Sequence, residues 1–131
     1  MKKNSPPYSI MQRILLDVWS EESSTKFAPE NPALGQCGVT ALVIHDLYGG
    51  EILKTRVTGG WHFYNKLNKQ IHDFTASQFD QRISYLHKPS CRIEAFADTN
   101  GQQYNYLRHA VSQRMQHYTR RGRYVETKGE R

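Results

Sequence analysis

The spacing of apolar residues predicts two helices in the first half of the chain. Between residues 9 and 19 the apolar positions recur every three or four residues, which is typical of an amphipathic helix packed on a core. Ser9 and Gln12 have the spacing of a capping box at its start. Between residues 36 and 48 the apolar positions cover most of the helical circumference, which predicts a buried helix. Gly49 and Gly50 follow it and predict its end.

Three short segments rich in β-branched and aromatic residues follow, and they predict an antiparallel meander. The predicted strands span residues 51–58, 61–67 and 70–75, with tight turns at Gly59-Gly60 and Asn68-Lys69 between them. Residues 77–80 are typical of a helical turn, and residues 91–96 are typical of a short strand. A last helix is predicted over residues 102–118, because an apolar stripe recurs there at helical spacing; it consists of Leu107, Val111, Met115 and Tyr118.

This order of elements predicts an α+β fold in one domain over residues 1–119. The predicted architecture is a central buried helix packed on a small antiparallel sheet, with flanking N- and C-terminal helices. Residues 1–7 are predicted to form a loose arm, and the Pro-containing connection over 20–35 leads directly into the buried helix. A connection of that length in a compact domain is often functional, so it is a candidate lining for a site.

Charge and composition narrow the classes of partner. The 131 residues carry a formal net charge of +6, and five of the Lys and Arg residues lie within 120–131. We therefore predict a basic, disordered tail over 120–131, and nucleic-acid binding is the weaker alternative because no binding motif accompanies the charge. No segment approaches the roughly 20 apolar residues of a membrane span. Two cysteines without an export signal predict a cytoplasmic protein with free thiols, so a Cys37–Cys91 disulfide is disfavoured.

Cys37 carries the strongest chemical signal, because it begins the buried helix. Helix N-termini present free N–H groups and positive potential, so we expect this thiol to lose its proton easily and act as a nucleophile. His62 and Asp73 follow in an order that fits a Cys-His-Asp triad, with the imidazole as general base and the carboxylate as its orienting group. The two share a face of the sheet if the hairpin loop between them has an even number of residues. The alternative is a buried structural cysteine beside a packed core histidine.

Several other side chains are candidates for supporting roles around this triad. The backbone N–H of Cys37 and the carboxamides of Asn31 and Gln36 are candidate oxyanion donors. A zinc site made of Cys37, His62 and His72 is an alternative, but it lacks the short ligand spacing of structural zinc motifs. No metal and no cofactor is therefore expected.

Four ordered segments resemble the YunG-like family of small bacterial proteins; they are Gly35–Val43, Gly49–Leu53, His62–Asn65 and Asp73–Phe79. The resemblance covers residues from about 10 to 110, and Phe63 and Phe74 stand where the family usually has Tyr and Leu. Its Cys, His, Asp order is similar to that of NlpC/P60-like and transglutaminase-like members of the papain-like group. That likeness implies an α+β fold in which a cysteine opens a central helix and the histidine lies on a strand. The usual cysteine-protease motif around the nucleophile is absent.

Together these observations predict a cysteine hydrolase or acyltransferase that acts on an amide or a thioester. Cys37, His62 and Asp73 are its predicted catalytic residues. The further residues expected to contact the substrate or support the triad are Asn65, Thr75, Gln78, Trp61 and Tyr64. The alternative is an interaction module that binds a protein partner in an aromatic cleft around Trp61, Phe63 and Tyr64.

Overall fold

The computed structural model describes residues 5–121, with side chains as far as residue 118. Within these residues, four helices and four strands make up the α+β fold; they are α1 (Tyr8–Val18), α2 (Cys37–Tyr48), β1 (Glu51–Val57), β2 (Gly60–Leu67), β3 (Gln70–His72), β4 (Lys88–Pro89), α3 (Arg92–Phe96) and α4 (Gly101–Arg121). A short 3₁₀ turn over Ala76–Gln78 follows β3. The predicted tail beyond residue 121 and the first four residues of the predicted arm lie outside the described residues.

The sheet is antiparallel, in the order β3-β2-β1-β4. The hairpin between β2 and β3 pairs Leu67 with Gln70, so its loop has two residues. Both of these, Asn68 and Lys69, have positive φ, as a type I′ turn requires. The loop length is even, which is the condition under which we expected His62 and the segment after β3 to share a face. The strand ends at His72, three residues earlier than predicted.

Helix α2 is the centre of the fold, as its apolar circumference predicts. Its residues from Cys37 to Ile44 are all buried, and so are Leu47 and Tyr48. One side of α2 packs with α1 and α4, through residues that include Met11, Leu15 and Leu107 in addition to its own Val43 and Leu47. Its N-terminal half packs against the sheet and α3 in a second cluster, which consists of Cys37, Ala41, Leu42, Ile52, Phe63 and Ala95. This burial fixes the start of α2 firmly between the sheet and α3.

Two further details of the predicted elements are wrong. Residues 92–96 form the short helix α3 instead of a strand, because Ala95 buries its side chain against α2 while both Ile93 and Glu94 face solvent. Ser9 does not cap α1; the N-cap is Pro7, and the Gln12 side chain donates to the Phe74 carbonyl at 2.9 Å.

The described part of the predicted loose arm contacts the domain instead of extending from it. Ser5 Oγ donates to the Leu47 carbonyl at 3.0 Å, and the Tyr48 hydroxyl donates to the Pro6 carbonyl. These contacts attach residues 5–7 to the end of α2.

The second face of the sheet is covered by an extended segment over residues 79–87. His62 and Tyr64 point to this face, where the ring of Phe79 packs edge-on against His62 at 4.9 Å. The Tyr64 hydroxyl accepts a hydrogen bond from the His87 backbone N–H at 2.9 Å, and Tyr85 packs on the same ring. The imidazole of His62 is therefore buried between β2 and this segment.

Within residues 5–121, no helix combines the length and the apolar character that crossing a membrane requires.

The turn after α2 gives a prediction about stability. Gly50 has φ of +72°, and a Cβ added there would lie 2.3 Å from the backbone oxygen of Lys66. Gly50→Ala therefore combines a left-handed backbone with a clash against main chain, and we expect it to lower the free energy of unfolding by at least about 2 kcal/mol. Gly101→Ala is the matched control, because nothing lies within 4 Å of its added Cβ. Urea unfolding measures both, and equal stabilities of the two variants would contradict this reading of the turn.

Candidate functional site

A cavity of about 320 Å³ lies at the N-terminus of α2 and brings distant parts of the chain together. Cys37 and His62 both line it, and so does Asp98 from the turn between α3 and α4. Most of its remaining lining comes from the connection before α2, the β1–β2 turn and the segment after β3, and includes Ser24, Lys26, Gly35, Gly59, Trp61 and Gln78. The long connection over 20–35 thus contributes to the site, as its length led us to expect.

His62 and Asp73 form a tight, buried pair. His62 Nε2 lies 2.6 Å from Asp73 Oδ2, and the side chains are only 1% and 6% exposed. The Tyr85 hydroxyl donates to the same carboxylate oxygen at 2.7 Å, and Thr75 donates to Oδ1 through its backbone N–H at 3.2 Å and its hydroxyl at 3.3 Å. Four donors therefore hold the Asp73 carboxylate, and it in turn fixes the orientation of the imidazole.

The second ring nitrogen of His62 has no partner. Nδ1 is buried and makes no hydrogen bond to any residue that the structure describes. Because Nε2 is engaged with Asp73, Nδ1 is the nitrogen left to accept a proton. A buried polar atom without a partner is unfavourable for stability, so its presence beside a cavity is typical of a functional group.

The Cys37 thiol lies at the edge of β2, where β3 has already ended. Phe63 pairs with Lys54 of β1 on one side, and the pairing with β3 stops at Asn65 and His72. The backbone N–H of Phe63 is hydrogen-bonded to the thiol, which favours its ionised form. Sγ also lies 3.5 Å from Asp98 Oδ2, to which it donates.

Burial and the carboxylates raise the pKa of Cys37 to about 12, with burial as the largest cause and Asp98 next. The side chain is 8% exposed, so its thiolate is poorly solvated. The expectation that the helix N-terminus makes this thiol ionise easily is therefore wrong for the resting protein. Desolvation and a neighbouring carboxylate outweigh the helix dipole and the single N–H of Phe63.

Asp98 occupies the N-terminus of α2. Its Oδ2 accepts a hydrogen bond from the Gly38 backbone N–H at 3.1 Å, which places a carboxylate where a helix favours an anion. A Cβ on Gly38 would lie 2.5 Å from this oxygen and 2.9 Å from the Ala95 carbonyl, so only glycine fits under the turn. Burial raises the pKa of Asp98, whereas its hydrogen bonds to Cys37 and Gly38 lower it.

Three of the predicted supporting residues donate hydrogen bonds to backbone carbonyls and so support the fold. Asn31 Nδ2 donates to the Gln78 carbonyl at 3.1 Å, and Gln36 Nε2 lies 3.4 Å from the Ser20 carbonyl. Gln36 is completely buried and does not line the cavity, and its Oε1 has no partner among the described residues. Asn65 Nδ2 donates to the Ala41 carbonyl at 3.1 Å and so joins the sheet to α2. The carboxamides of Asn31 and Gln36 are therefore structural and are not aimed at Cys37.

The other predicted residues divide between support and cavity wall. Thr75 is buried and holds Asp73, as described above. Gln78 lines the cavity, accepts a hydrogen bond from the Gly35 N–H at 3.3 Å, and keeps a buried Nε2 without a partner among the described residues. Trp61 lines the cavity mouth, with Lys54 Nζ 4.4 Å above its ring. Tyr64 is 1% exposed and supports His87 instead of facing the cavity.

The residues of the two alternative sites, the aromatic cleft and the zinc site, do not come together in the fold. Trp61 and Phe63 share one face of β2, while Tyr64 points to the other, so the three aromatic residues do not form one cleft. His72 packs its ring against Tyr8 and Phe74, away from the cavity. No group of three metal-binding side chains converges within the described part of the chain. Both Cys37 and Cys91 are free.

Asp98 and Tyr85 are the site residues that the sequence analysis missed. Asp98 lies 61 residues after Cys37, in the turn before α4. Tyr85 lies in a segment without a clear pattern. Neither has a local signal, because each reaches the site through the packing of distant segments.

Comparison with known proteins identifies a family. A family model described as YunG protein matches residues 8–116. The chain is also 56% identical over 102 residues to the uncharacterized protein YunG of Bacillus subtilis (strain 168), an alignment that covers 78% of this chain and 89% of the relative. No solved structure matches the chain.

Proposed function

The chain belongs to the YunG protein family, and from this premise and the geometry of the cavity we propose that it is a cysteine-dependent hydrolase or acyltransferase acting on an amide or a thioester. The observation that carries the proposal is the buried His62–Asp73 pair at 2.6 Å, whose free nitrogen Nδ1 belongs to a ring that lines the same cavity as Cys37. A nucleophile, a base and an orienting carboxylate are the minimum that covalent acyl transfer needs.

The proposed reaction has two steps. The Cys37 thiol gives its proton to Nδ1 of His62, and Sγ forms a bond to the acyl carbon of the substrate. The C–N or C–S bond then breaks, and the departing amine or thiol takes the proton from His62. In the second step water or an acceptor amine loses a proton to His62 and attacks the thioester, which releases the acyl group and restores the Cys37 thiol.

Two kinds of donor near Cys37 suit the oxyanion that forms in each step. Gln78 Nε2 belongs to a cavity residue and lacks a partner among the described residues. The Gly38 backbone N–H lies at the start of α2, but in the resting protein it is occupied by Asp98. An oxyanion bound at the start of α2 would be stabilised by N–H dipoles that are already in position, so solvent would not have to reorganise.

The likeness to papain-like hydrolases remains part of this proposal. It is supported by the cysteine that begins a central helix and the histidine on an adjacent antiparallel strand. The two free cysteines fit the proposed location in a reducing cytoplasm.

The role of His62 is tested by the alkylation rate of Cys37. Cys91→Ser provides a protein with one thiol, and Ser suits the N-cap position that Cys91 occupies in α3. In that background we expect His62→Gln, which keeps an N–H donor for Asp73, to slow labelling of Cys37 by iodoacetamide at least about tenfold at pH 8. Asp73→Asn is expected to act in the same direction with a smaller effect.

The control for that experiment is His72→Gln, which changes a histidine that packs on Tyr8 and Phe74. Its labelling rate is expected to equal that of the parent. Circular dichroism establishes that each variant is folded. A folded His62→Gln protein that labels at the parental rate would contradict the base role of His62.

A further inference from the structure

Asp98 is a carboxylate in the reacting cavity that the proposed reaction does not use. Its Oδ2 is 3.5 Å from Cys37 Sγ and 3.1 Å from the Gly38 N–H. Its Oδ1 accepts no hydrogen bond from the residues that the structure describes, and Asp98 forms no ion pair with any of them. The residue is exposed as a whole and lines the cavity, and Oδ1, which has no partner, is the oxygen left open to an incoming molecule.

The position of Asp98 conflicts with the charges of the proposed reaction. A thiolate on Cys37 and an oxyanion at the start of α2 are both negative, and both would form within contact distance of this carboxylate. Like charges at this distance, beside a thiol that is only 8% exposed, raise the energy of the transition state. A positive group that binds Asp98 would remove the conflict. Lys26 lines the same cavity and attracts Asp98 electrostatically, but it makes no ion pair with it.

A substrate can supply that positive group. We propose that Asp98 is a specificity residue that selects acyl donors carrying a cationic amino group close to the scissile carbonyl. This inference rests on the proposed function of Cys37 and His62. An ammonium on the substrate binds the open oxygen of Asp98 and neutralises its charge. The Cys37 hydrogen, which is directed at Asp98 in the resting protein, is then released to Nδ1 of His62.

One feature of the cavity supports a ligand there, and another holds Asp98 beside Sγ. His62 is 99% buried and its Nδ1 is unpartnered, which marks the cavity as a place where an external group completes the polar contacts. Gly38 lets the α3–α4 turn approach α2 closely enough for Asp98 to reach Sγ. The carboxylate is thus held within contact distance of the reacting atom, where its electrostatic interaction with a charge on the substrate is strongest.

Charged thiosulfonates test this proposal without knowledge of the natural substrate. The Cys91→Ser protein is treated with methanethiosulfonates whose transferred groups are trimethylammonioethyl, ethyl and sulfonatoethyl. In each case Sγ attacks the sulfenyl sulfur, a disulfide forms, and methanesulfinate leaves. We expect the cationic reagent to modify Cys37 at least about tenfold faster than the anionic one, relative to their rates with a free thiol.

Asp98→Asn keeps an oxygen for the Gly38 N–H but lacks the charge, and we expect it to bring the rate ratio close to one. Asp98→Ala is a second variant with the same expected outcome. Glu94→Gln is the matched control, since it removes an equal charge from the exposed face of α3, where Glu94 pairs with Lys54. A ratio near one in the parent, or an unchanged ratio in Asp98→Asn, would overturn the proposal.

The same reagents separate this inference from the proposed function. His62→Gln in the Cys91→Ser background is expected to slow all three reagents alike and to leave the ratio unchanged. If the ratio disappears in the parent while His62→Gln still slows labelling, the selectivity is wrong and the role of His62 stands. If the ratio is present but His62→Gln labels at the parental rate, charge selection stands and the catalytic role of His62 fails.

Discussion

Iodoacetamide in limiting amount, added to the native protein at pH 7, is expected to label Cys91 about a thousandfold faster than Cys37. Cys91 is exposed, whereas Cys37 is 8% exposed and its pKa is raised to about 12. At pH 7 a much smaller fraction of Cys37 than of an exposed thiol is then a thiolate, and the thiolate is the species that reacts. This order reverses the one that the position of Cys37 at a helix N-terminus led us to expect.

The measurement is peptide mapping by mass spectrometry at increasing times and pH values. Because the pKa of Cys37 is raised, its labelling rate is expected to keep rising up to pH 10, beyond the range in which an ordinary thiol has already ionised. The same mapping after unfolding in urea is the control, and there the two cysteines should label at similar rates. Preferential labelling of Cys37 in the native protein at pH 7 would show that its thiolate is stabilised, contrary to the burial and the Asp98 contact.

Local patterns in the sequence account for most of the fold. The helices α1, α2 and α4 and the hairpin of β1 and β2 were predicted within a few residues, because each has its own periodicity or turn residues. Helix α2 was correctly predicted to be central and buried, since its apolar residues cover most of the helical circumference. By contrast, α3 has five residues, and its helical state depends on the packing of Ala95 against α2. A segment that short has no periodicity from which a helix can be predicted.

The chemistry of the site could be predicted in part. The sequence predicted Cys37, His62 and Asp73 as a set, and the two-residue loop at Asn68-Lys69 is the local feature that places the last two on one face. The protonation state of Cys37 could not be predicted, because the group that changes it most after burial is Asp98. That residue reaches Cys37 through the packing of α3 on α2, which no local pattern encodes.

An acyl thioester of a small thiol is expected to transfer its acyl group to Cys37 through His62. The probe pair is a glycyl thioester, which carries an ammonium, and an acetyl thioester, which does not. With the Cys91→Ser protein we expect at least one of them to form a covalent adduct on Cys37, detected by intact mass and located by peptide mapping. Because general base catalysis contributes about 10² to 10⁴ in rate, His62→Gln should slow adduct formation by a similar factor.

Formation of this adduct tests the proposed acyl-transfer role of Cys37 most directly, because it detects the proposed covalent intermediate itself. The predicted result is one acyl group on Cys37 in the Cys91→Ser protein, none in the Cys37→Ala, Cys91→Ser protein, and slow formation in the folded His62→Gln variant of the Cys91→Ser protein. Acylation confined to lysines, or an adduct on Cys37 that forms equally fast without His62, would contradict the proposal that Cys37, His62 and Asp73 form an acyl-transfer site.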